Sequence, residues 1–286
     1  MSFQPRRSVL YMPGSNARAL EKAKSLDADV LILDLEDAVA PGQKDVAREQ
    51  VLAAVTAGGY GKRELVVRVN GFDTPWGRKD IECFAKAPIQ ALCLPKVESA
   101  AEVLAVTQVL QQAGAPKDLA LWTMAETPRG ILAIDEIAGA HPRMAAIVLG
   151  TSDLAKDLRV PHTPTRLGLL SSLGLCVLAA RAHGLDVLDG VHLDLEDDAG
   201  LELACQQGVE LGFDGKTLIH PRQIPAANSA FSPTEAAIAR AQKVSAAWEQ
   251  AQSEGKGVVL VDGKLVEALH VEEALRVLAI ADAMKA

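Results

Sequence analysis

The chain has 286 residues, a formal net charge of −8 and only 3% aromatic residues. This acidic, aromatic-poor composition excludes a general nucleic-acid-binding protein, because such proteins need clustered cations and stacking side chains. No stretch has the roughly 20 apolar residues of a membrane-spanning helix, and four cysteines without C-x-x-C spacing lie within apolar runs. We therefore expect a cytoplasmic protein with structural thiols and no membrane partner.

Short runs rich in β-forming residues recur along the first 220 positions and predict eight strands. They are Ser8–Pro13, Val30–Asp34, Leu65–Asn70, Ala91–Pro95, Ala120–Ala125, Ala146–Gly150, Leu185–Gly190 and Lys216–His220. Longer Ala/Leu/Glu-rich stretches with helical periodicity lie between them, such as Gln43–Ala57 and Ala199–Leu211. Eight strands alternating with helices predict an α/β protein of the (β/α)8 TIM barrel class. The alternative is a doubly wound open sheet, but no G-x-G-x-x-G follows the first strand.

The pattern changes after position 221. Pro221–Pro233 is typical of a loop, Thr234–Gln252 predicts a long helix, and Asp262-Gly263 between two apolar runs predicts a hairpin. A last helix is expected over Val271–Met284. We divide the chain into a catalytic barrel over 1–221 and a helix–hairpin–helix extension over 222–286. The extension is expected to cap the barrel as a lid or to contact a neighbouring subunit.

Polar and ionisable residues follow almost every predicted strand, where a barrel builds its active site. Successive side chains of a strand point to opposite faces, so alternation predicts which of these residues point into the barrel. Ile32, Asp34 and Glu36 share one face, and Leu31, Leu33 and Leu35 share the other. We expect the leucines to meet the helices, so Asp34 and Glu36 point into the barrel. The same alternation places Arg68 and Asn70 on the interior side.

Glu126 and Asp153 end the fifth and sixth strands, which should be neighbours about 4.8 Å apart. Two carboxylates with waters and substrate oxygens form a typical Mg²⁺ site, for which Mn²⁺ is the alternative ion. No His or Cys accompanies the pair, which disfavours zinc. The alternative is a Glu126–Arg68 salt bridge, with Asp153 capping the following helix.

The turn Met12–Asn16 leads from a strand into a helix, where backbone N–H groups favour an anion. Arg18 and Lys22 follow closely, so a phosphate-bearing ligand fits this segment. A simple helix cap by Ser15 or Asn16 explains it equally well.

Taken together, these segments resemble the citrate lyase β-subunit-like group of the HpcH/HpaI aldolase superfamily, which includes malyl-CoA and citramalyl-CoA lyases. The resemblance runs in family order over nearly the whole chain. It is carried by residues 7–14 (RSVLYMPG), 33–39 (LDLEDAV), 68–70 (RVN), 94–98 (LPKVE), 125–127 (AET), 150–154 (GTSDL) and 215–221 (GKTLIHP).

The resemblance implies that Glu126 and Asp153 are the Mg²⁺ ligands. It also implies that Arg68 binds the substrate's carboxylate and carbonyl oxygen, while Glu36 and Asp37 hold metal-bound waters or orient Arg68. Lys22 falls where the family places a CoA-contacting lysine. Arg18 and the segment Gly150, Thr151 and Ser152 complete the expected substrate and CoA contacts. The family also implies a homo-oligomer, a trimer or hexamer, whose C-terminal segment covers a neighbour's site.

One departure from the family pattern is Glu267. Related lyases carry an aspartate in a G-K-M-V-D pattern as the acid/base, whereas this chain has Glu267 after Gly263-Lys264-Leu265-Val266. The expected activity is cleavage of malyl-CoA or citramalyl-CoA to acetyl-CoA and glyoxylate or pyruvate, in either direction. The alternatives are a citrate lyase β subunit acting on a carrier-bound citryl thioester, a malyl-CoA thioesterase, and a catalytically impaired CoA-binding homologue.

Overall fold

The computed structural model describes residues 4–285, and its main body is a closed barrel of eight parallel strands in sequential order. The strands are β1 (Ser8–Pro13), β2 (Val30–Asp34), β3 (Glu64–Arg68), β4 (Ala91–Leu94), β5 (Ala120–Ala125), β6 (Met144–Leu149), β7 (Asp186–Asp189) and β8 (Gly215–Leu218). The predicted (β/α)8 TIM barrel is therefore confirmed. Each predicted strand end lies within two residues of the observed one.

Ten helices of this unit follow or connect the strands. They are α1 (Ala17–Ala23), α2 (Lys44–Ala57), α3 (Gly77–Phe84), α4 (Ala100–Gln112), α5 (Pro128–Leu132), α6 (Ile134–Ala138), α7 (Thr151–Leu158), α8 (Leu170–His183), α9 (Asp198–Leu211) and α10 (Ile224–Ala230). Short 3₁₀ turns cover Pro41–Gln43 and Pro221–Gln223. Across residues 4–285, the helices are all too short or too polar to cross a bilayer.

The expectation of a loop over Pro221–Pro233 was wrong. Pro221 begins the 3₁₀ turn, and its fixed φ suits a first helical position because that residue needs no N–H partner. The His220 side chain accepts a hydrogen bond from the Arg222 N–H, and α10 follows directly. Composition alone misled the prediction, since Pro and Asn are read as loop formers wherever tertiary packing is unknown. These helices belong to the barrel unit, which spans Arg6–Ala230.

The barrel interior is filled by every second residue of its strands. On β2, Val30 and Ile32 belong to an interior cluster with Trp122, Met124 and residues of the other strands. Leu31 and Leu33 are equally buried on the face toward the helices. The predicted alternation thus holds, and it leaves the last inward position of β2 to Asp34.

The second compact unit contains residues 4–5 and 231–285. Its elements are α11 (Glu235–Ser253), the antiparallel hairpin of β9 (Val259–Val261) and β10 (Lys264–Val266), and α12 (Ala268–Lys285). Asp262 and Gly263 both have positive φ, as the two-residue turn of such a hairpin requires. A small apolar core joins α11 to α12 through Ala241, Val244 and Ala274. The predicted helix–hairpin–helix order is confirmed.

An ion cluster lies at the amino ends of the strands. This end of the barrel is opposite the carboxyl ends, where the predicted site residues lie. Arg6 donates two hydrogen bonds of 2.8 Å to Glu64 at the start of β3, and it also pairs with Asp186 at the start of β7. Its guanidinium lies over the Trp122 ring, 4.9 Å from the centroid. Burial raises the pKa of Asp186, and the Arg6 charge acts in the opposite direction.

We expect Arg6→Met to lower the free energy of unfolding by about 3 kcal/mol, because it leaves the buried Glu64 without its cation and removes the pair with the partly exposed Asp186. Urea denaturation followed by circular dichroism measures the loss. The control is Arg222→Met, which removes an exposed pair with Glu196 and should cost less than about 1 kcal/mol. Equal losses in the two variants would contradict a structural role for the Arg6 cluster.

Candidate active site

The carboxyl ends of β2 and β3 carry a buried bidentate ion pair. Asp34 and Arg68 are direct neighbours in the parallel register of the two strands. Arg68 donates from Nε and Nη2 to the two carboxylate oxygens of Asp34, both at 2.7 Å. Burial opposes the charge on Arg68, but the Asp34 carboxylate outweighs that effect and holds the Arg68 pKa well above its usual range. The guanidinium is thus a fixed cation, with its plane 4.8 Å from the Tyr11 ring centroid.

Glu36 and Asp37 lie on the other side of the Arg68 guanidinium. Arg68 Nη1 is 3.2 Å from Glu36 Oε2 and 3.7 Å from Asp37 Oδ2. Glu36 is buried, and burial raises its pKa against the opposing charge of Arg68. Lys44 holds the chain here by donating to the backbone oxygens of Leu35 and Glu36 at 2.9 and 2.7 Å. The arrangement fits carboxylates that orient Arg68.

Glu126 follows β5 and is almost fully buried, with 2% of its surface exposed. Burial raises its pKa to about 7, although the nearby charge of Lys96 works in the opposite direction. One carboxylate oxygen accepts the backbone N–H of Lys96 at 2.8 Å. The other packs against Gly150, where a Cβ would lie 2.4 Å from Oε2 and 2.3 Å from the Glu126 Cβ. Only glycine at position 150 leaves room for this carboxylate.

Asp153 lies in the first turn of α7 rather than on a strand, and its side chain is one-third exposed. No side chain caps this helix, so Asp153 does not serve as the predicted cap. Thr151 fixes the start of α7 by packing on Gly190, where a Cβ would meet the Thr151 side chain. Gly190 is held in turn by Lys216, whose ammonium donates to its carbonyl oxygen.

The ends of β7 and β8 hold a self-contained charge cluster. Lys216 and Asp189, both fully buried, form a 2.8 Å ion pair, and Arg166 donates to the second Asp189 oxygen. Burial would raise the Asp189 pKa, but Lys216 and Arg166 lower it below its usual value. Two cations thus share one carboxylate, and the cluster supports the neighbouring backbone through Gly190.

One cavity of about 360 Å³ opens onto these strand ends. Its charged wall contains Asp34, Asp37, Arg68, Glu126 and Asp153, which the sequence analysis had placed at strand ends. Gly150, Thr151 and Ser152 line the same cavity. An apolar wall faces them, formed by Val191, Leu193 and Ile219.

The donor set of this cavity suits a hard divalent cation. Glu126 and Asp153 contribute carboxylate oxygens from adjacent elements, and Mg²⁺ is typically held by one or two carboxylates with waters and substrate oxygens. Within residues 4–285, no three His, Cys, Asp or Glu side chains gather as a zinc site would require. The predicted alternative of a Glu126–Arg68 salt bridge is not found, because among the described residues Arg68 pairs with Asp34, Glu36 and Asp37.

The remaining sequence-predicted residues lie elsewhere. Arg18 and Lys22 are exposed on α1 and do not line the described cavity. The Asn16 side chain accepts the Ala19 N–H, so the capping explanation of that turn is confirmed. Glu267 is exposed at the start of α12 in the second unit, where its N–H donates to His270 Nδ1.

Lys96 was recognised as a strand-end residue but was given no role. Its ammonium pairs with Glu36, and it lies 3.5 Å from Asp37 and 3.6 Å from Asp153. The backbone of Lys96 is left-handed, with φ of 50°, a conformation that non-glycine residues seldom adopt outside functional or constrained sites. A positive φ leaves no clear mark in the sequence here, so only the motif Leu94-Pro95-Lys96 could have signalled it.

Comparison with known proteins agrees with this geometry. The family described as HpcH/HpaI aldolase/citrate lyase matches residues 7–221. The chain belongs to this family. The resemblance inferred from the sequence motifs is thereby confirmed, and the match covers the whole barrel with the carboxylates and arginine of its mouth.

Individual members of the HpcH/HpaI aldolase/citrate lyase family match almost end to end. A (3S)-malyl-CoA thioesterase of Cereibacter sphaeroides is 51% identical over 282 residues, covering 99% of this chain and 96% of its own. The citrate lyase subunit beta of Escherichia coli is 36% identical, covering 97% and 93%. The crystal structure of CitE from Mycobacterium tuberculosis, in complex with magnesium, acetoacetate and coenzyme A, is 30% identical with a TM-score of 0.76 and covers 96% and 97%.

Gly150→Ala tests whether the glycine controls the Glu126 carboxylate. The added Cβ would overlap Glu126, so we expect Mg²⁺ affinity to fall about tenfold or more, as for other groups that orient metal ligands. The control is Gly174→Ala in α8, where a Cβ meets nothing within 4 Å. Isothermal titration with magnesium chloride measures both. Unchanged affinity in Gly150→Ala would show that Glu126 does not depend on this glycine.

Proposed function

We propose that the protein is a Mg²⁺-dependent enzyme that hydrolyses a malyl-CoA-type thioester to malate and free CoA. The observation that carries the proposal is the convergence of Glu126, Asp153 and Arg68 on one cavity with an apolar opposite wall. The 51% identity to a (3S)-malyl-CoA thioesterase over 99% of the chain supports the substrate class. A small hydroxy acid on an acyl carrier suits a cavity with a charged and an apolar side.

The charged wall would hold the acid end of the substrate. Glu126 and Asp153 are proposed as the Mg²⁺ ligands, and the bound ion supplies Lewis-acid polarisation of the substrate's carboxylate and hydroxyl oxygens. The Arg68 guanidinium is fixed in position, because two of its nitrogens donate hydrogen bonds to Asp34. Its Nη1 group is therefore a fixed donor that stabilises negative charge on a substrate oxygen.

Water attack needs a proton acceptor at the cavity. Asp37 is the exposed carboxylate of this wall, and Glu36 and Lys96 lower its pKa against the effect of burial, so it stays ionised at neutral pH. We propose that Asp37 holds the attacking water and accepts its proton. The water oxygen then bonds to the thioester carbon, the carbon–sulfur bond breaks, and the CoA thiolate takes a proton. The apolar residues Val191, Leu193 and Ile219 would flank the thioester arm.

Carbon–carbon cleavage is the second candidate function, favoured by a specific observation. The CitE structure, with magnesium, acetoacetate and coenzyme A, pairs a 3-oxo acid with the thiol carrier on a closely similar fold. In this reaction the 3-hydroxyl loses its proton, the C2–C3 bond breaks, and the acetyl-CoA enolate is protonated at C2. Glyoxylate and acetyl-CoA would be released. Citramalyl-CoA would give pyruvate by the same steps.

Product analysis with purified protein, Mg²⁺ and (3S)-malyl-CoA separates these reactions. Malate with free CoA indicates hydrolysis, whereas glyoxylate with acetyl-CoA indicates cleavage. Glu126→Gln and Asp153→Asn should each lower turnover by about 100-fold or more, because they remove the charges that hold the cation. The matched control is Glu98→Gln, which alters a surface carboxylate paired with Arg129. Full activity in Glu126→Gln would refute the proposed site.

For the carbon–carbon cleavage reaction, we propose that Glu267 of a neighbouring subunit exchanges protons with the acetyl methyl carbon. We expect Glu267→Gln to slow deuterium exchange into acetyl-CoA by about 100-fold, as loss of a general acid/base does, with Mg²⁺ affinity retained. Glu267→Asp should keep measurable exchange. Glu272→Gln, an exposed carboxylate on the helix that follows Glu267, is the control. Exchange that continues undiminished in Glu267→Gln would assign the proton to another group.

A further inference from the structure

Lys96 links the carboxylates of the charged wall in two different ways. Its backbone N–H donates to Glu126 Oε1 at 2.8 Å, and this geometry depends on the left-handed backbone at that residue. Its side chain crosses the mouth in another direction and reaches Glu36, Asp37 and Asp153. The two links are separable, because a substitution of the side chain leaves the backbone donor in place.

The ammonium of Lys96 contacts three carboxylates of this group, two of which also lie near Arg68. It pairs with Glu36 and lies 3.5 Å from Asp37 Oδ1 and 3.6 Å from Asp153 Oδ2. The other cation of the wall, Arg68, is committed to Asp34. The Lys96 side chain is 44% exposed, so it has room to move without breaking the core.

We propose that the Lys96 ammonium is an internal counter-ion that competes with the divalent metal for Asp153 and thereby sets the metal affinity of the site. The inference rests on the proposed metal role of Glu126 and Asp153. An ammonium beside Asp153 repels any cation that the same carboxylate binds, and the repulsion is substantial at such distances near a protein surface. A cation held by Asp153 would leave Lys96 its existing pair with Glu36.

This exchange has a structural consequence for the metal-free enzyme. Without the Lys96 ammonium, Asp37, Glu126 and Asp153 would line one cavity whose other cation, Arg68, is already paired with Asp34. Like charges at close range destabilise a folded site unless a counter-charge is present. Lys96 therefore offsets this repulsion, and it weakens metal binding as a result.

Titration of purified protein with magnesium chloride, by calorimetry at constant ionic strength, tests the inference. Lys96→Met removes the competing charge but keeps the backbone donor, so the magnesium Kd should fall about tenfold. Lys96→Arg keeps the charge and should bind close to the wild type. The matched control is Lys156→Met, which removes an exposed lysine 4.0 Å from the same Asp153 and should change Kd less than about threefold.

Thermal melting with and without magnesium provides a second readout. Lys96→Met should have a lower Tm than the wild type without metal, and magnesium should raise its Tm by more. If Lys96→Met does not fold, Lys96→Gln replaces it in both measurements. An unchanged or higher magnesium Kd in the uncharged variants overturns the role of Lys96 while the metal site stands. A wild-type protein that binds no magnesium overturns the proposed metal site and this inference together.

Discussion

The candidate site depends on one buried ion pair, between Asp34 at the end of β2 and Arg68 at the end of β3. The parallel register places these two residues side by side, and a bidentate pair then fixes the guanidinium in position. A buried arginine without this partner would pay the full cost of desolvation, and the partner without arginine would do the same. Glu36 and Asp37 are arranged around the cation that Asp34 holds, and the cavity forms on its open side.

Much of the barrel could be predicted from the sequence, because its strands are short apolar runs whose ends are marked by polar residues. Alternation within β2 also placed Asp34 inside, since Leu31 and Leu33 marked the opposite face. Alternation did not predict which carboxylate would form the bidentate ion pair with Arg68. Asp34, Glu36 and Asp37 are three acids within four residues, and only the register between β2 and β3 selects Asp34 as the bidentate partner. Register is a property of two paired strands and cannot be predicted from the sequence of either strand alone.

The failures share a physical cause. Asp153 was assigned to a strand end, but it lies in the first turn of α7, because the chain enters the helix at Thr151. Lys96 received no role because its importance comes from a left-handed backbone and from partners on three other elements. Pro221–Pro233 was assigned to a loop because the helical turn there begins with a proline. Each case is decided by tertiary neighbours that local composition does not specify.

The walls of the cavity differ from one another, and this difference bears on chirality. A cation lies on the β2–β3 side, two acids lie beside β5 and α7, and apolar side chains follow β7 and β8. Lys216 and Arg166 share the Asp189 carboxylate on the β7–β8 side, and these three residues do not line this cavity. A carbon atom bearing a carboxylate, a hydroxyl and a carbon chain can match three unlike walls in only one handedness. Its mirror image must misplace at least one group, so this layout would favour one enantiomer of the proposed substrate.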